Sequence, residues 1–118
     1  MCTTNLLNIE DNLACTVFVA SPSPGEVVVR DVVASDLMSD VLAADASEFI
    51  LVTSLVSEQV VYTADIVGAA AILFVNDKRP HLETVALAEK RKIPLLSTKD
   101  TFFECCLALG ELLGRQHV

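Results

Sequence analysis

The most constraining feature of this sequence is an alternation of short apolar runs with helix-length segments in its last two thirds. The runs at 48–53, 69–75 and 93–96 are rich in Val, Ile, Leu and Ala, which is typical of strands buried on both faces of a sheet. Each run is followed by a segment long enough to form a helix. Because crossovers of this length join parallel strands, the pattern predicts an α/β fold with a mostly parallel sheet flanked by helices.

Residues with capping or helix-stopping chemistry mark the ends of the segments between these runs. Ser54 is suited to cap the first helix, and Gly68 can end it in a left-handed conformation. Pro80 suits the first turn of the second helix, and Ser97 with Asp100 can form a capping box for the third. The predicted helices span 54–67, 80–91 and 97–113.

The N-terminal third contains two further β-rich runs, at 13–20 and 26–33. They are separated by Ser-Pro-Ser-Pro-Gly, in which proline and glycine favour a turn. We expect these two runs to pair as an N-terminal β-hairpin. Short helices are predicted on either side of them, at 4–10 and through residue 44; their predicted caps are Thr4 and either Ser35 or Asp36.

Length and composition limit the classes of protein to which this chain can belong. Its 118 residues suit a single domain, expected to span 1–118. The apolar fraction of 53% fits buried parallel strands, and no stretch approaches the ~18 apolar residues of a membrane span. The start of the chain lacks the basic and apolar regions of a signal peptide, so we expect a soluble cytoplasmic protein.

Charge is distributed unevenly along the chain. The net charge of −8 argues against binding to nucleic acid or to a membrane surface, since both require clustered Lys and Arg. Arg30 is the only basic residue before residue 78, and the other seven lie in the last third. If an anion binds to this chain, its charge is therefore expected to be met in that third.

The cysteines and histidines show no spacing typical of a metal centre or a catalytic nucleophile. The four cysteines have neither CxxC nor zinc-site spacing and are interpreted as reduced thiols: Cys2, Cys15, Cys105 and Cys106. His81 and His117 suggest no Ser/His/Asp or Cys/His arrangement, and no GxxxxGK[ST] loop is present. We predict a protein without enzymatic activity, metal or cofactor.

Polar residues at the predicted strand ends form the candidate ligand site. In an open parallel sheet, ligands bind beyond the carboxyl ends of the strands, near helix N-termini, where hydroxyls, N–H groups and basic side chains suit a carboxylate or phosphate. The alternative is that Ser54 and Ser97 only cap helices and that 76–79 is a solvated loop. The candidate residues are Thr53, Ser54, Asn76, Lys78, Arg79, Ser97, Thr98 and Lys99.

A second candidate site lies on the predicted helix that ends at residue 44. Asp36 and Asp40 are four residues apart, which predicts one helical face, with Ser39 beside them. Such a face suits contact with a partner or ligand, and paired carboxylates also suit acid–base chemistry or magnesium. The alternative is that the aspartates only stabilise the helix dipole.

The order of these motifs resembles the DRTGG domain family. Residues 36–42 (DLMSDVL) look like its D-L-L-S-x-V-M/L helix, and 49–53 (FILVT) look like its W-I-T-I strand. Residues 69–76 resemble its C-I-I-I-A strand, and 93–98 (IPLLST) look like its I-P-I-L-S-T segment. Where the namesake Asp-Arg-Thr-Gly-Gly segment is expected, at 26–34, this chain has EVVVRDVVA and no glycine.

The resemblance implies a regulatory module. Such domains occur attached to long phosphotransacetylases and between the CBS domains of certain inorganic pyrophosphatases, and short stand-alone members are found near iron-only hydrogenase genes in anaerobes. Their fold is similar to the N-terminal domain of HPr kinase/phosphorylase, which carries no kinase chemistry.

Three functions follow as hypotheses. The leading one is a non-enzymatic regulatory domain that binds a small anionic metabolite or nucleotide, and its high apolar content favours a homodimer. The first alternative is a protein-interaction adaptor of a redox or hydrogenase system, which docks through its acidic N-terminal half. The second is a small phosphotransfer or hydrolase enzyme, for which the sequence offers only scattered parts.

Overall fold

The computed structural model describes residues 2–114 as an alternation of strands and helices. The strands are β1 (Thr4–Asn5), β2 (Thr16–Val19), β3 (Val28–Val29), β4 (Asp31–Ala34), β5 (Phe49–Thr53), β6 (Ala71–Phe74) and β7 (Leu95–Ser97). The α-helices are α1 (Leu6–Asn12), α2 (Met38–Ala43), α3 (Glu58–Val67), α4 (Leu82–Arg91) and α5 (Phe102–Leu112), and a 3₁₀-turn covers Pro24–Glu26. Within the described range, none of the helices combines the length and the apolar character that a membrane crossing needs.

Five of the strands form one sheet in the order β2-β7-β6-β5-β4. The strands β4 to β7 run parallel, and α2, α3 and α4 are the crossovers between them. At one edge, β2 pairs antiparallel with β7, with a register shift between Val17 and Val19. The predicted α/β fold with a mostly parallel sheet flanked by helices is confirmed.

An antiparallel strand pair is present near the N-terminus, as predicted, but its partners differ from those expected. The pair consists of β1 and β3, with Thr4 opposite Val29. The run that contains β2 does not pair with 26–33 and lies beside β7 instead. The pairing follows from tertiary contacts. The run at 26–33 divides into β3 and β4, and β4 pairs with β5. The edge of the sheet at β7 is then the one that β2 joins.

The apolar core has two layers, one on each face of the sheet. Because alternate side chains of a strand point to opposite faces, Phe49 and Leu51 pack with residues of α2, α3 and α4, whereas Ile50 and Val52 pack with residues of α1 and α5. All four side chains are at most 1% exposed. Coverage of both faces explains why the strands are continuously apolar.

Two helices begin later than the sequence predicts, because their predicted caps have other partners. The N-cap of α3 is Ser57, since the hydroxyl of Ser54 donates to Asp36. The N-cap of α2 is Leu37, so neither Ser35 nor Asp36 holds that position.

The last helix, α5, also begins later than the sequence predicts. Its N-cap is Thr101, which forms a capping box with Glu104. The predicted box of Ser97 and Asp100 is wrong, because Ser97 belongs to β7 and its hydroxyl donates to the Lys78 carbonyl.

The remaining helix ends are closer to expectation. Asn5, and not Thr4, caps α1, and α4 begins two residues after Pro80. Gly68 ends α3 in the left-handed conformation, with φ of 73°, as predicted. Gly114, with φ of 69°, follows the last helix.

Candidate functional site

The carboxyl ends of β4, β5, β6 and β7 lie at one edge of the sheet, because these strands are parallel. We call this the carboxyl edge; it comprises the loops at 35–37, 54–57, 75–81 and 98–101. The predicted ligand-binding residues all lie in these loops or at the last position of the preceding strand.

Asp36 connects the end of β4 to the end of β5. Its carboxylate accepts hydrogen bonds from the Thr53 hydroxyl at 2.8 Å, from the Ser54 backbone N–H at 2.6 Å and from the Ser54 hydroxyl at 2.5 Å. Partial burial opposes ionisation of this carboxyl, but the hydrogen bonds from Ser54 and Thr53 outweigh it and lower the pKa of Asp36 below its usual value. Asp36 therefore acts as an ionised acceptor that holds two loops together.

A tight turn follows β6. Asn76 and Asp77 are both left-handed, with φ of 57° and 54°, and the Lys78 N–H donates to the Val75 carbonyl at 3.1 Å. Two successive left-handed residues inside a four-residue turn are characteristic of type I′ geometry. Asn and Asp tolerate this backbone better than most residues, which accounts for their presence here.

Hydrogen bonds join this turn to the loop after β7. The Asn76 N–H donates to the Asp100 carbonyl, and the Asp77 N–H donates to the Thr98 carbonyl, both at 2.8 Å. Together with the bond from the Ser97 hydroxyl, these contacts hold the two loops as one unit.

The hydroxyl groups of the candidate site are engaged inside the chain. Ser97 donates to the Lys78 carbonyl at 2.7 Å, and Thr98 donates to the Leu13 carbonyl at 3.0 Å. Ser97 and Thr98 are each 2% exposed, and Thr53 is fully buried. These hydroxyls therefore support the loops from within.

Three basic side chains extend from the two joined loops. Lys78, Arg79 and Lys99 are all exposed. The Arg79 guanidinium lies 3.8 Å from the Asp77 carboxylate and 5.8 Å from the ring centroid of Phe18. Within residues 2–114, Lys78 and Lys99 form no ion pair. The loops thus present two unpaired ammonium groups on a chain whose net charge is −8.

The second candidate site does not form the predicted helical face. Because α2 begins at Met38, Asp36 precedes the helix, whereas Ser39 and Asp40 lie exposed in its first turn. The expectation that Asp36 and Asp40 share one helical face is wrong, since the Asp36 carboxylate is bound to the end of β5. Asp40 is in position to stabilise the helix dipole.

No metal site is formed by the described part of the chain, in which no group of three or more His, Cys, Asp or Glu could hold an ion. All four cysteines are free thiols. Burial, with a smaller contribution from neighbouring charges, raises the pKa of Cys15 and of Cys105 to about 12, so both stay protonated and unreactive at neutral pH. His81 is exposed just before α4, and His117 lies outside the described residues.

Sequence reasoning missed two residues that contact the loops of the carboxyl edge. Asp100 contributes its backbone carbonyl, which carries no residue-specific signal. Phe18 lies under Arg79 because β2 joins the sheet beside β7, and the sequence does not indicate that pairing.

Among the comparisons with known proteins, only the comparison with solved structures gives matches. No protein-family model matches the chain, and no curated protein matches it. A similar solved structure contains the CBS and DRTGG domains of the regulatory region of Clostridium perfringens pyrophosphatase, in complex with its activator, diadenosine tetraphosphate. The two share 19% sequence identity with a TM-score of 0.70 over 93% of this chain, which spans about half, 47%, of the other. The fold is therefore like that of part of this CBS and DRTGG regulatory region.

Proposed function

We propose that residues 1–118 form a single non-enzymatic regulatory domain of the DRTGG type, which binds a small anionic metabolite or nucleotide at the carboxyl edge. Lys78 and Lys99 bind the phosphate or carboxylate groups of the ligand, with Arg79 beside them. The observation that carries this proposal is the pair of unpaired ammonium groups on two loops that hydrogen bonds join. We propose a cytoplasmic location because the four cysteines are free thiols.

The electrostatics of the chain support a local site. A net charge of −8 repels anions at long range, and salt screens that repulsion beyond about 10 Å. The attraction between an anion and the cations next to it can then exceed the repulsion from the rest of the chain. Because the two loops are already joined, binding an anion between Lys78 and Lys99 requires little further ordering of the backbone.

The likeness of fold supports the regulatory role and the choice of ligand class. The similar structure is a regulatory region, and its activator is an anionic nucleotide. We therefore propose that this chain, too, responds to a ligand of that charge and carries out no reaction on it.

Isothermal titration with inorganic phosphate, AMP, ATP and diadenosine tetraphosphate tests this proposal. At least one of these should bind, and the double variant Lys78→Glu with Lys99→Glu should weaken it about tenfold or more, because charged hydrogen bonds are lost and repulsion is gained. The control is Lys90→Glu, which reverses a charge at the other end of α4 and should bind like the wild type. No heat with any ligand, or an equal loss in the control, would count against the site.

A homodimer is a separate part of the proposal. Ile66 is 74% exposed and Tyr62 is 46% exposed, one turn apart on α3. Exposed apolar side chains at this spacing favour an interface with a second copy. Light scattering should give twice the monomer mass for the wild type and the monomer mass for Ile66→Lys. A monomeric wild type at high concentration would contradict the dimer.

A protein-interaction adaptor remains the second candidate function, since one surface favours it. Leu37 is 57% exposed and Leu42 is 51% exposed, and the exposed residues Ser39 and Asp40 lie between them. We propose this surface as the contact for a protein of a redox or hydrogenase system. Affinity capture from the source organism should yield a salt-sensitive partner that is lost with Leu42→Ser and Asp40→Asn. Capture of the same proteins by that variant would exclude this surface.

A further inference from the structure

A cleft of about 550 Å³ opens at the opposite edge of the sheet, where β2 ends and where β6 and β7 begin. Its volume lies within the range of small-molecule sites, about 300–1,000 Å³. The residues that line it are mainly apolar, and they include Phe18, Val19, Pro22, Val27, Ala70 and Pro94.

An irregularity in β2 lies beside the cleft. The register between β2 and β7 shifts between Val17 and Val19, which leaves Phe18 as the extra residue of a β-bulge. A bulge redirects the side chain of the extra residue, and Phe18 lines the cleft. Ser21, which follows the end of β2, lines the same cleft.

One wall of the cleft carries two opposite charges. Glu89 lies in the last turn of α4, and Lys92 is the residue that ends this helix, so the two are three positions apart. They form no ion pair with each other, since none of the ion pairs among residues 2–114 includes either of them. The backbone of Lys92 is held in the left-handed conformation, with φ of 59°, by hydrogen bonds from its N–H to the carbonyls of Ala88 and Glu89.

We infer that this cleft binds a small zwitterion with an apolar side chain, of which an apolar α-amino acid is the simplest example. The ammonium group of the ligand pairs with Glu89, where the negative end of the α4 dipole also attracts a cation. The carboxylate pairs with Lys92, and the side chain packs on Phe18 and its apolar neighbours. An anion alone would meet the carboxylate of Glu89, and a cation alone would meet the ammonium of Lys92. The wall therefore favours a ligand that carries both charges.

Nuclear magnetic resonance titration of the ¹⁵N-labelled full chain with L-leucine tests the inference. Leucine should shift the amide signals of Val19, Ser21 and Ala70, which line the cleft. The analogues 4-methylpentanoate, which lacks the ammonium group, and 3-methylbutylamine, which lacks the carboxylate, should bind about tenfold more weakly or worse, because each loses one charged hydrogen bond. Equal binding of leucine and either analogue would overturn recognition of a zwitterion, and no shift at millimolar leucine would overturn the site.

Variants at the end of α4 test the roles of Glu89 and Lys92 one at a time. Glu89→Gln and Lys92→Asn should each weaken leucine binding about tenfold. Asn suits position 92 because it tolerates the left-handed backbone. The control Lys90→Gln removes a charge from the same exposed helix end but not from the cleft, and should leave the affinity unchanged. A loss of affinity in the control equal to that in the other two would contradict the assignment.

The charged residues of the cleft, Glu89 and Lys92, are not those of the anion site, although Phe18 lines the cleft and also contacts Arg79. Charge reversal at Lys78 and Lys99, on the carboxyl edge, should leave the leucine-induced shifts unchanged. Failure of anion binding with retained leucine binding would refute the proposed function alone, and the reverse result would refute the cleft alone.

Discussion

Asp36 and Ser54 are joined by two hydrogen bonds across 18 residues of sequence, one from the backbone N–H and one from the hydroxyl of Ser54. The same carboxylate accepts the hydroxyl of Thr53. These contacts join the ends of two adjacent strands at the carboxyl edge, and they place Asp36 outside the helical face on which it was predicted. Lys78, Arg79 and Lys99 remain exposed at this edge.

Replacing Asp36 with Ala should destabilise the domain by about 1–3 kcal/mol, because the buried hydroxyl of Thr53 loses its acceptor. Urea unfolding measures the change. Asp40→Ala is the matched control, since Asp40 is exposed on α2, and it should change the free energy of unfolding by no more than about 0.5 kcal/mol. Equal effects of the two variants would contradict the structural role of Asp36.

The same carboxylate should make stability depend on acid pH. Its pKa is lowered in the folded chain, so its contribution is fully present above the unfolded value, about 3.9, and is lost as the pH falls through the folded value. Free energies of unfolding measured from neutral pH downwards should decline less steeply in Asp36→Asn than in the wild type. Parallel curves for the two proteins would exclude this linkage.

The capping box of α5 should contribute measurably to stability. Thr101→Ala removes the acceptor for the Glu104 N–H and should lower the free energy of unfolding by about 1 kcal/mol. Ser57 is the N-cap of α3 but makes no side-chain capping bond, so Ser57→Ala should cost less. Thermal unfolding of both variants decides the point, and a larger loss for Ser57→Ala would be evidence against the box.

Two glycines with open space around them should respond in opposite directions to alanine. Gly68→Ala forces a side chain onto a left-handed residue and should cost about 1–2 kcal/mol. Gly110 lies inside α5, so Gly110→Ala should stabilise the domain by about 0.5–1 kcal/mol. Differential scanning calorimetry should therefore show the two melting temperatures on opposite sides of the wild type, and shifts of the same sign would refute the argument.

The Ser97 hydroxyl should position Lys78 for anion binding. Ser97→Ala breaks the bond to the Lys78 carbonyl without changing any charge, and we expect anion affinity to fall several-fold together with about 1 kcal/mol of stability. Thr98→Val is the control, because it loses the hydroxyl that donates to the Leu13 carbonyl and accepts from the Asp100 N–H, but it leaves the bond to the Lys78 carbonyl in place. Titration should show a lower anion affinity only for Ser97→Ala. An equal loss of affinity in Thr98→Val would mean that general destabilisation is the cause.

Local sequence signals predicted the strands and helices of the last two thirds well, but they predicted the helix starts poorly. Gly68 ends α3 as expected, since a left-handed residue at a helix end depends on the backbone nearby. Ser54 and Ser97 looked like caps, yet their hydroxyls donate to Asp36 and to the Lys78 carbonyl, each far away in sequence. A capping signal cannot show that a distant acceptor competes for the same hydroxyl.

The sequence by itself determined the α/β class, the parallel central strands and the burial of both faces. These properties follow from continuous apolar runs and from crossover lengths, which are local and can be read in order along the chain. Only the tertiary structure decided which strand lies beside β7, which loops are joined at the carboxyl edge and where the cleft around Phe18 forms. Each of these depends on contacts between residues that are distant in sequence, and such contacts exist only once the order of strands in the sheet is established.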